Sequence, residues 1–169
     1  MIAETNRLIF EKFTLADAPF LKTLVSTPNW LKYIGDRNIK TVKEAETYIQ
    51  NTHFKSYKTK GFGFYKMLLK EEKLKPIGSC GLVKRDELEH VDIGFAFLPE
   101  YEGKGFGYES SVEIIKLAKE NFKLDILQAM TVPYNFNSIK LLEKLGFTYE
   151  KRIKPFEDDE ELMLFAKTL

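Results

Sequence analysis

Glu102-Gly103-Lys104-Gly105-Phe106-Gly107-Tyr108-Glu109 lies between the apolar run from His90 to Leu98 and the amphipathic run from Val112 to Phe122. Read locally, this is strand, glycine loop, helix. The alternate glycines keep side chains out of the way and let backbone N–H groups converge, and the helix that follows adds four unpaired N–H donors and a positive dipole end. The combination is a phosphate cradle. Spacing excludes two familiar phosphate loops. A Walker A loop carries Lys and then Ser or Thr after its last glycine, where this chain has Tyr108 and Glu109. A dinucleotide fingerprint opens the first strand-helix unit of a doubly wound fold, whereas this loop lies past mid-chain.

Working outward, the helix from Tyr108 to Phe122 carries Val112, Ile115, Ala118 and Phe122 on one stripe, with Ile114 and Leu117 beside it, wide enough to pack flat on a sheet. Asp125 to Val132 supplies the strand that closes a strand-helix-strand crossover, parallel to the strand ending at Leu98. A short helix capped by Asn137 or Ser138 and ended by Gly146 comes next. Phe147–Ile153 and Leu162–Lys167 then read as a hairpin around the acidic loop Lys154–Glu161. Upstream, Arg7–Phe13 reads as a first strand, and Thr14-x-x-Asp17 is a weak capping box for a helix through Leu21, Leu24 and Val25. Thr27-Pro28 opens a helical turn with Trp30, Leu31, Tyr33 and Ile34, closed by Gly35-Asp36. Thr41-x-x-Glu44 caps a helix with Val42, Ala45, Tyr48 and Ile49 on one face. Phe62–Leu69 and Pro76–Val83 pair antiparallel across Lys70–Lys75, and Leu88–Leu98 continues the meander. With no internal repeat or linker, residues 1–169 read as a single mixed α/β domain of about seven mostly antiparallel strands around one parallel pair, flanked by helices.

A chain of 169 residues that is 44% hydrophobic and 30% charged suits one full core. Lys plus Arg number 26 against 25 Asp plus Glu, a net charge of +1, so no bulk field recruits nucleic acid or an anionic membrane. The single cysteine, Cys80, forms no internal disulfide, and in its glycine-flanked strand it reads as a small core residue. No apolar stretch approaches the roughly 20 residues of a membrane span, and the N-terminus lacks the basic flank and apolar run of a signal peptide. A cytoplasmic monomer or homodimer, without metal, is the expectation.

Glu102-x-x-Gly105-x-Gly107 resembles the (Gln/Arg)-x-x-Gly-x-(Gly/Ala) motif of the GNAT superfamily of acyl-CoA N-acetyltransferases. Asn135-x-x-Ser138, followed by Glu143-Lys144-x-Gly146-Phe147, is similar to that family's Asn-x-x-Ser and Glu-Lys-x-Gly-Phe segment. Thr5-Asn6-Arg7-Leu8 with Asp17 is similar to the RimJ/RimL-like branch. The resemblance implies the family's fold, acetyl-CoA as cosubstrate, and a primary amine as acceptor, either a protein N-terminus or a small molecule. It also implies that the parallel strands splay, that a bulge frees backbone groups of the first, and that the pantetheine arm lies along Phe97 and Leu98 like an added strand. The pyrophosphate would then meet Gly103, Lys104, Gly105, Phe106, Gly107 and Tyr108. Lys104 is either a point charge outside the cradle or a solvated lysine. Asn135 and Ser138 fall where the family contacts the CoA arm, although a turn and cap after Pro133 would use the same residue types. The early helices would wall the acceptor groove, with Trp30 and Tyr33 read as core rather than as lining.

The reaction implied is direct attack of an amine on the acetyl thioester in a ternary complex. Asp92, between Val91 and Ile93, is the candidate general base acting through water. Glu89 and His90 are its neighbours in contention, and a purely structural carboxylate is the competing reading. A backbone N–H at Leu98 is expected to stabilise the oxyanion. Where the family often has a tyrosine to reprotonate CoA this chain has Leu142. A thiol of pKa about 8.5 leaves readily as thiolate, so no acid is assigned. The missing tyrosine leaves a second reading, a CoA-binding or regulatory module with little turnover, and a nucleotide-binding signalling protein is a third. Glu102 puts a carboxylate where the motif has Gln or Arg. Repulsion of about 1 kcal/mol at 4 Å in water, and about 4 at a partly shielded surface, turns it to solvent or sets Lys104 between it and the phosphates.

Overall fold

In the computed structural model, which describes residues 1–157 and 160–169, the chain forms an eight-stranded sheet with α-helices along it. The strands are β1 (Ala3–Glu4), β2 (Leu8–Lys12), β3 (Phe64–Leu69), β4 (Lys75–Val83), β5 (Asp92–Phe97), β6 (Ile126–Thr131), β7 (Thr148–Ile153) and β8 (Leu162–Thr168), in the spatial order β1-β2-β3-β4-β5-β6-β8-β7. Every ladder is antiparallel except that between β5 and β6. The expected count of seven falls one short because β1, only two residues long, has no period to read; Ala3 and Glu4 pair with Phe10 and Ile9. Of the acidic loop expected at Lys154–Glu161, Asp158 and Asp159 lie outside the described residues.

The helices are α1 (Ala18–Val25), α2 (Pro28–Tyr33), α3 (Val42–Ile49), α4 (Lys55–Lys60), α5 (Phe106–Glu120) and α6 (Phe136–Lys144). Thr41 caps α3 by accepting the Glu44 N–H at 3.1 Å. The helix does not stop at Ile49 but passes through a π-helical turn, Gln50–Phe54, into α4. The sequence reading missed this continuation because Asn51-Thr52-His53 breaks the apolar period. Tertiary contacts hold it instead: the Tyr57 hydroxyl accepts the Phe13 N–H at 3.1 Å and donates to Phe64 O, and Gly61, at φ +79°, ends α4 left-handed. Val42 lies on the exposed side of α3, not on its buried face.

Two clusters form the interior of the described residues. One lies between α1 and α3, around Phe13, Leu21, Val25 and Ile49. The other covers the sheet face under α5 and includes Phe10, Met67, Cys80, Ile93 and Ile114. Helix α5 buries Ser110, Ser111, Ile114, Leu117 and Ala118, whereas Val112, expected on the apolar stripe, is exposed. The serines face the Cys80 thiol, which burial pushes up to about 12 against the opposing pull of its hydroxyl neighbours. Their small size lets α5 approach the sheet, and a search for apolar periodicity passes over them.

Register sets what each face of β5 presents. Cys80 pairs with Phe95, so Ile93, Phe95 and Phe97 share the α5 face while Asp92, Gly94 and Ala96 share the other. The β4–β5 ladder runs without a register shift from Val83–Asp92 to Gly78–Phe97, so the bulge expected in β5 is absent from it. Shifts occur instead at Met67/Leu68 and Tyr149/Lys151.

His53 lies in the π turn, buried against Phe13 with ring centroids 4.5 Å apart and against Tyr48 at 5.9 Å. Burial pulls its pKa from 6.5 down to about 4. Between those pH values the unfolded chain takes up a proton that the folded chain refuses, so stability falls as pH falls and the loss is complete below about pH 4. Urea unfolding at pH 7.5 and 5 should show wild type losing about 2 kcal/mol more than a His53→Gln variant. Equal losses in the two proteins would contradict this reading of His53.

Candidate functional site

The site grows from one interruption in the sheet. Strands β5 and β6 pair only at Asp92–Gln128 among the described residues, where the Gln128 N–H donates to Val91 O at 2.9 Å and the His90 N–H donates to Gln128 Oε1 at 2.9 Å. Towards their carboxyl ends the strands have no further ladder pair. The Leu98 N–H donates to Ile77 O at 2.9 Å, so it is spent on β4 and is not the free oxyanion donor expected. Backbone groups alternate along an antiparallel strand. The Phe95 and Phe97 groups therefore face the gap towards β6, and they are the ones the interruption leaves available.

The glycine loop closes the end of that gap. Gly103 and Gly105 sit at φ +71° and +83°, the left-handed region that disfavours any side chain. The first helical bond of α5 runs from the Glu109 N–H to Gly105 O at 3.1 Å, leaving the N–H groups of Phe106, Gly107 and Tyr108 without a helical acceptor. A Cβ on Gly107 would stand 3.0 Å from Leu141 Cδ2 and 3.7 Å from Phe97 Cε2, so the glycine lets α5, α6 and β5 meet. Phe106 is buried, its ring centroid 6.5 Å from that of Phe97 and 6.4 Å from that of Tyr101. Cations rest on the aromatic faces around the loop. Lys104 Nζ is 5.7 Å from the Tyr101 centroid, and Lys144 Nζ is 4.2 Å from that of the exposed Tyr108.

A contact absent from the sequence reading holds this loop. The Glu109 carboxylate accepts from Thr5 Oγ1 at 2.6 Å, from the Arg7 backbone N–H at 3.0 Å and from Arg7 Nε at 2.7 Å. Arg7 Nη1 also donates to Lys104 O at 3.0 Å, and its guanidinium lies 4.0 Å from the Phe106 ring centroid. Partial burial raises the Glu109 pKa, but the hydrogen bonds from Thr5 and Arg7 outweigh it and hold the group below the usual carboxylate range. Thr5-Asn6-Arg7 is visible in the sequence as a motif; its partner more than a hundred residues away is not.

Asp92 is buried at the closed end of the gap, with Arg85 Nε at 3.1 Å. Burial pushes its pKa up to about 6 against the pull of Arg85. Of its neighbours, Glu89 is exposed and His90 half-buried, 3.7 Å from one another. The fold does not bring Asp92 and Leu98 together: the six steps of extended chain between them span about 20 Å. Asn135, not Asn137 or Ser138, caps α6, its Oδ1 accepting the Ser138 N–H at 3.2 Å. Both residues are half-buried at the β6 side of the gap, and Leu142 is buried in the core. The Glu102 side chain faces outward and accepts from Asn29 Nδ2 at 2.7 Å, a tie to α2 that the sequence did not announce. Trp30 and Tyr33 are half-buried. Trp30 packs on the core, and the Tyr33 ring lies 5.9 Å from that of Tyr134. Among the described residues no helix is long and apolar enough to cross a membrane.

A family model described as an acetyltransferase (GNAT) domain matches residues 7–148. The N-acetyltransferase p20 of Bacillus licheniformis, itself uncharacterised, is 30% identical over 154 residues, covering 90% of this chain and 85% of that one. The crystal structure of an acetyltransferase from Agrobacterium tumefaciens superposes with a TM-score of 0.83 at 21% identity, covering 99% of this chain and 94% of that one. The microcin C7 self-immunity acetyltransferase MccE, crystallised with acetyl-CoA and AMP, gives a TM-score of 0.80 at 14% identity, covering 98% and 94%. Agreement in sequence with that family from residue 7 to residue 148, on a sheet opened between its two parallel strands, means that this protein belongs to the GNAT family of acetyltransferases.

Proposed function

We propose that residues 1–169 act as one N-acetyltransferase domain that moves the acetyl group of acetyl-CoA to a primary amine, a protein N-terminus or a small molecule, by direct attack in a ternary complex. The observation that carries this reading is the convergence of the unpaired ends of β5 and β6 with the left-handed glycines of the loop. A thioester arm needs backbone partners along an open strand, and a diphosphate needs converging N–H donors at a helix start. The opening Thr5-Asn6-Arg7-Leu8 supports the RimJ/RimL-like branch, and a cytoplasmic setting goes with it.

In this account the diphosphate lies on the N–H groups of Gly103 to Tyr108, with Lys104 as an outer charge. The pantetheine arm passes Phe97 and Leu98, with Asn135 and Ser138 opposite. When bound, acetyl-CoA supplies an activated acyl group. The oxyanion falls to the Phe95 or Phe97 N–H, replacing Leu98. The amine arrives on the face of Asp92, Gly94 and Ala96, since α5 covers the other. Asp92 lies about 10 Å along the strand from Phe95, so it takes the ammonium proton through water. Arg85 keeps a fraction of the carboxylate ionised at neutral pH, which a base requires. Leu142, buried where the family often has a tyrosine, supplies no proton, and this favours as second reading a CoA-binding module with weak turnover.

Acetyl-CoA mixed with a panel of amines and N-terminal peptides, with thiol release as readout, separates the two readings. Release is expected with wild type, and Gly105→Val, which forces a branched side chain into φ +83°, should weaken acetyl-CoA binding by about tenfold or more. Tight binding without release on any amine would select the module, and unchanged affinity in folded Gly105→Val would remove the loop from the site. The pH profile tests Asp92. Log kcat/KM for the amine should steepen below about pH 6, on top of the amine's own titration, as Asp92 takes up a proton. Arg85→Gln removes the cation that lowers the pKa and should move this break upward, while Asp92→Asn abolishes it along with most turnover. A break unmoved by Arg85→Gln excludes Asp92 as the base.

A further inference from the structure

Arg7 is the best-connected cation near the loop, yet as a stabilising ion pair it counts for little. The Arg7 side chain is 35% exposed and that of Glu109 19%, and a pair this open contributes under about 1 kcal/mol by itself. Its geometry does more. Arg7 is fixed from behind: the Lys70 N–H donates to Arg7 O at 2.9 Å, Lys70 Nζ to Thr5 O at 2.7 Å, and the Leu8 N–H to Thr5 Oγ1 at 3.1 Å. From that base one guanidinium binds the Glu109 carboxylate through Nε and the Lys104 carbonyl through Nη1. The C=O of Lys104 and the N–H of Gly105 belong to one planar trans peptide, so they point in opposite directions. Drawing the carbonyl towards Arg7 turns the Gly105 N–H away from Arg7. Glycine at φ +83° has no side chain to hold that peptide plane, so an outside contact has to. The same guanidinium also neutralises a carboxylate one turn into α5, which would otherwise repel an anion at the start of the helix.

We propose that Arg7 is a positioning residue for the cosubstrate. It sets the Lys104–Gly105 peptide so that the Gly105 N–H faces the diphosphate, and it cancels the Glu109 charge beside it. This rests on the acetyl-CoA reading above and adds a residue from the opposite end of the chain to it. The two effects are separable by chemistry. A lysine at position 7 restores the charge, but its single ammonium lacks the planar fork that reaches the carboxylate and the carbonyl together. Removing the Glu109 charge relieves the repulsion without restoring the peptide orientation.

Calorimetric titration with coenzyme A, together with steady-state kinetics in acetyl-CoA, tests this on folded wild type, Arg7→Lys, Arg7→Ala and the Arg7→Ala/Glu109→Gln pair. Arg7→Ala should weaken coenzyme A by about tenfold or more, and KM for acetyl-CoA should rise with kcat changed by less than about threefold. Arg7→Lys should recover only part of the affinity, and the double variant likewise. In the complexes saturated with coenzyme A, amide exchange at Gly105 should be faster in all three than in wild type. Full recovery in Arg7→Lys or in the double variant would reduce Arg7 to a counterion and overturn the positioning role. If Arg7→Ala is too unstable to titrate, the Arg7→Lys comparison decides alone. Wild type that binds while Arg7→Ala binds equally well overturns this inference and leaves the proposed function standing. Wild type that binds no coenzyme A defeats both.

Discussion

Everything distinctive about this molecule depends on how briefly β5 and β6 pair. A parallel ladder extended over all six residues of each strand would spend the backbone groups of Phe95 and Phe97 and leave an ordinary continuous sheet. Instead pairing stops at Asp92–Gln128, and the Gln128 side chain adds a bond to His90 at the closed end. On either side the ladders are long: β4 holds β5 from Val83 to Gly78, and β8 holds β6 from Thr168 to Met163. The sheet is thus two well-paired halves joined at a short seam. The open end of the seam is where unsatisfied backbone can be offered to a ligand, at the carboxyl ends of parallel strands, as in other α/β sheets.

The glycine loop completes that opening only because it is restrained from outside. Left-handed glycines remove steric barriers, but they also remove the side chains that would fix the peptide planes, and a loop of that kind carries a large entropy in the absence of other contacts. Three ties replace the missing restraint. Arg7 and Thr5 hold Glu109, Arg7 holds Lys104 O, and Asn29 holds Glu102. The last also accounts for a carboxylate standing where the family motif has Gln or Arg: directed to α2, it keeps away from the cradle.

What was legible in the sequence divides along the same line. Strands β2 to β5, the crossover through α5 to β6, and the closing hairpin follow from alternation and helical spacing, which are local properties. The glycine loop and the helix start behind it were legible because glycine spacing and helical period are local as well. Three features were not legible for one physical reason, that each is decided by a partner distant in sequence. The π turn survives because Tyr57 bonds Phe13 and Phe64. The buried face of α5 runs through Ser110 and Ser111 because a small residue, Cys80, lies opposite. The donor role expected of Leu98 fails because strand parity commits its N–H to Ile77; in a strand a step of one residue reverses the direction of the bond. Arg85 carries no local signal either: only the turn that brings its guanidinium to 3.1 Å from Asp92 reveals the pair.

The central claim, that the open seam and the restrained loop together hold acetyl-CoA, is tested most directly by a crystal structure of the protein with that cosubstrate. The account predicts the diphosphate within hydrogen-bond distance of the N–H groups between Gly103 and Tyr108, and the thioester carbonyl on the Phe95 or Phe97 N–H, between β5 and β6. A diphosphate bound elsewhere, or a gap closed by direct pairing of β5 with β6 while the cosubstrate lies outside it, would contradict it.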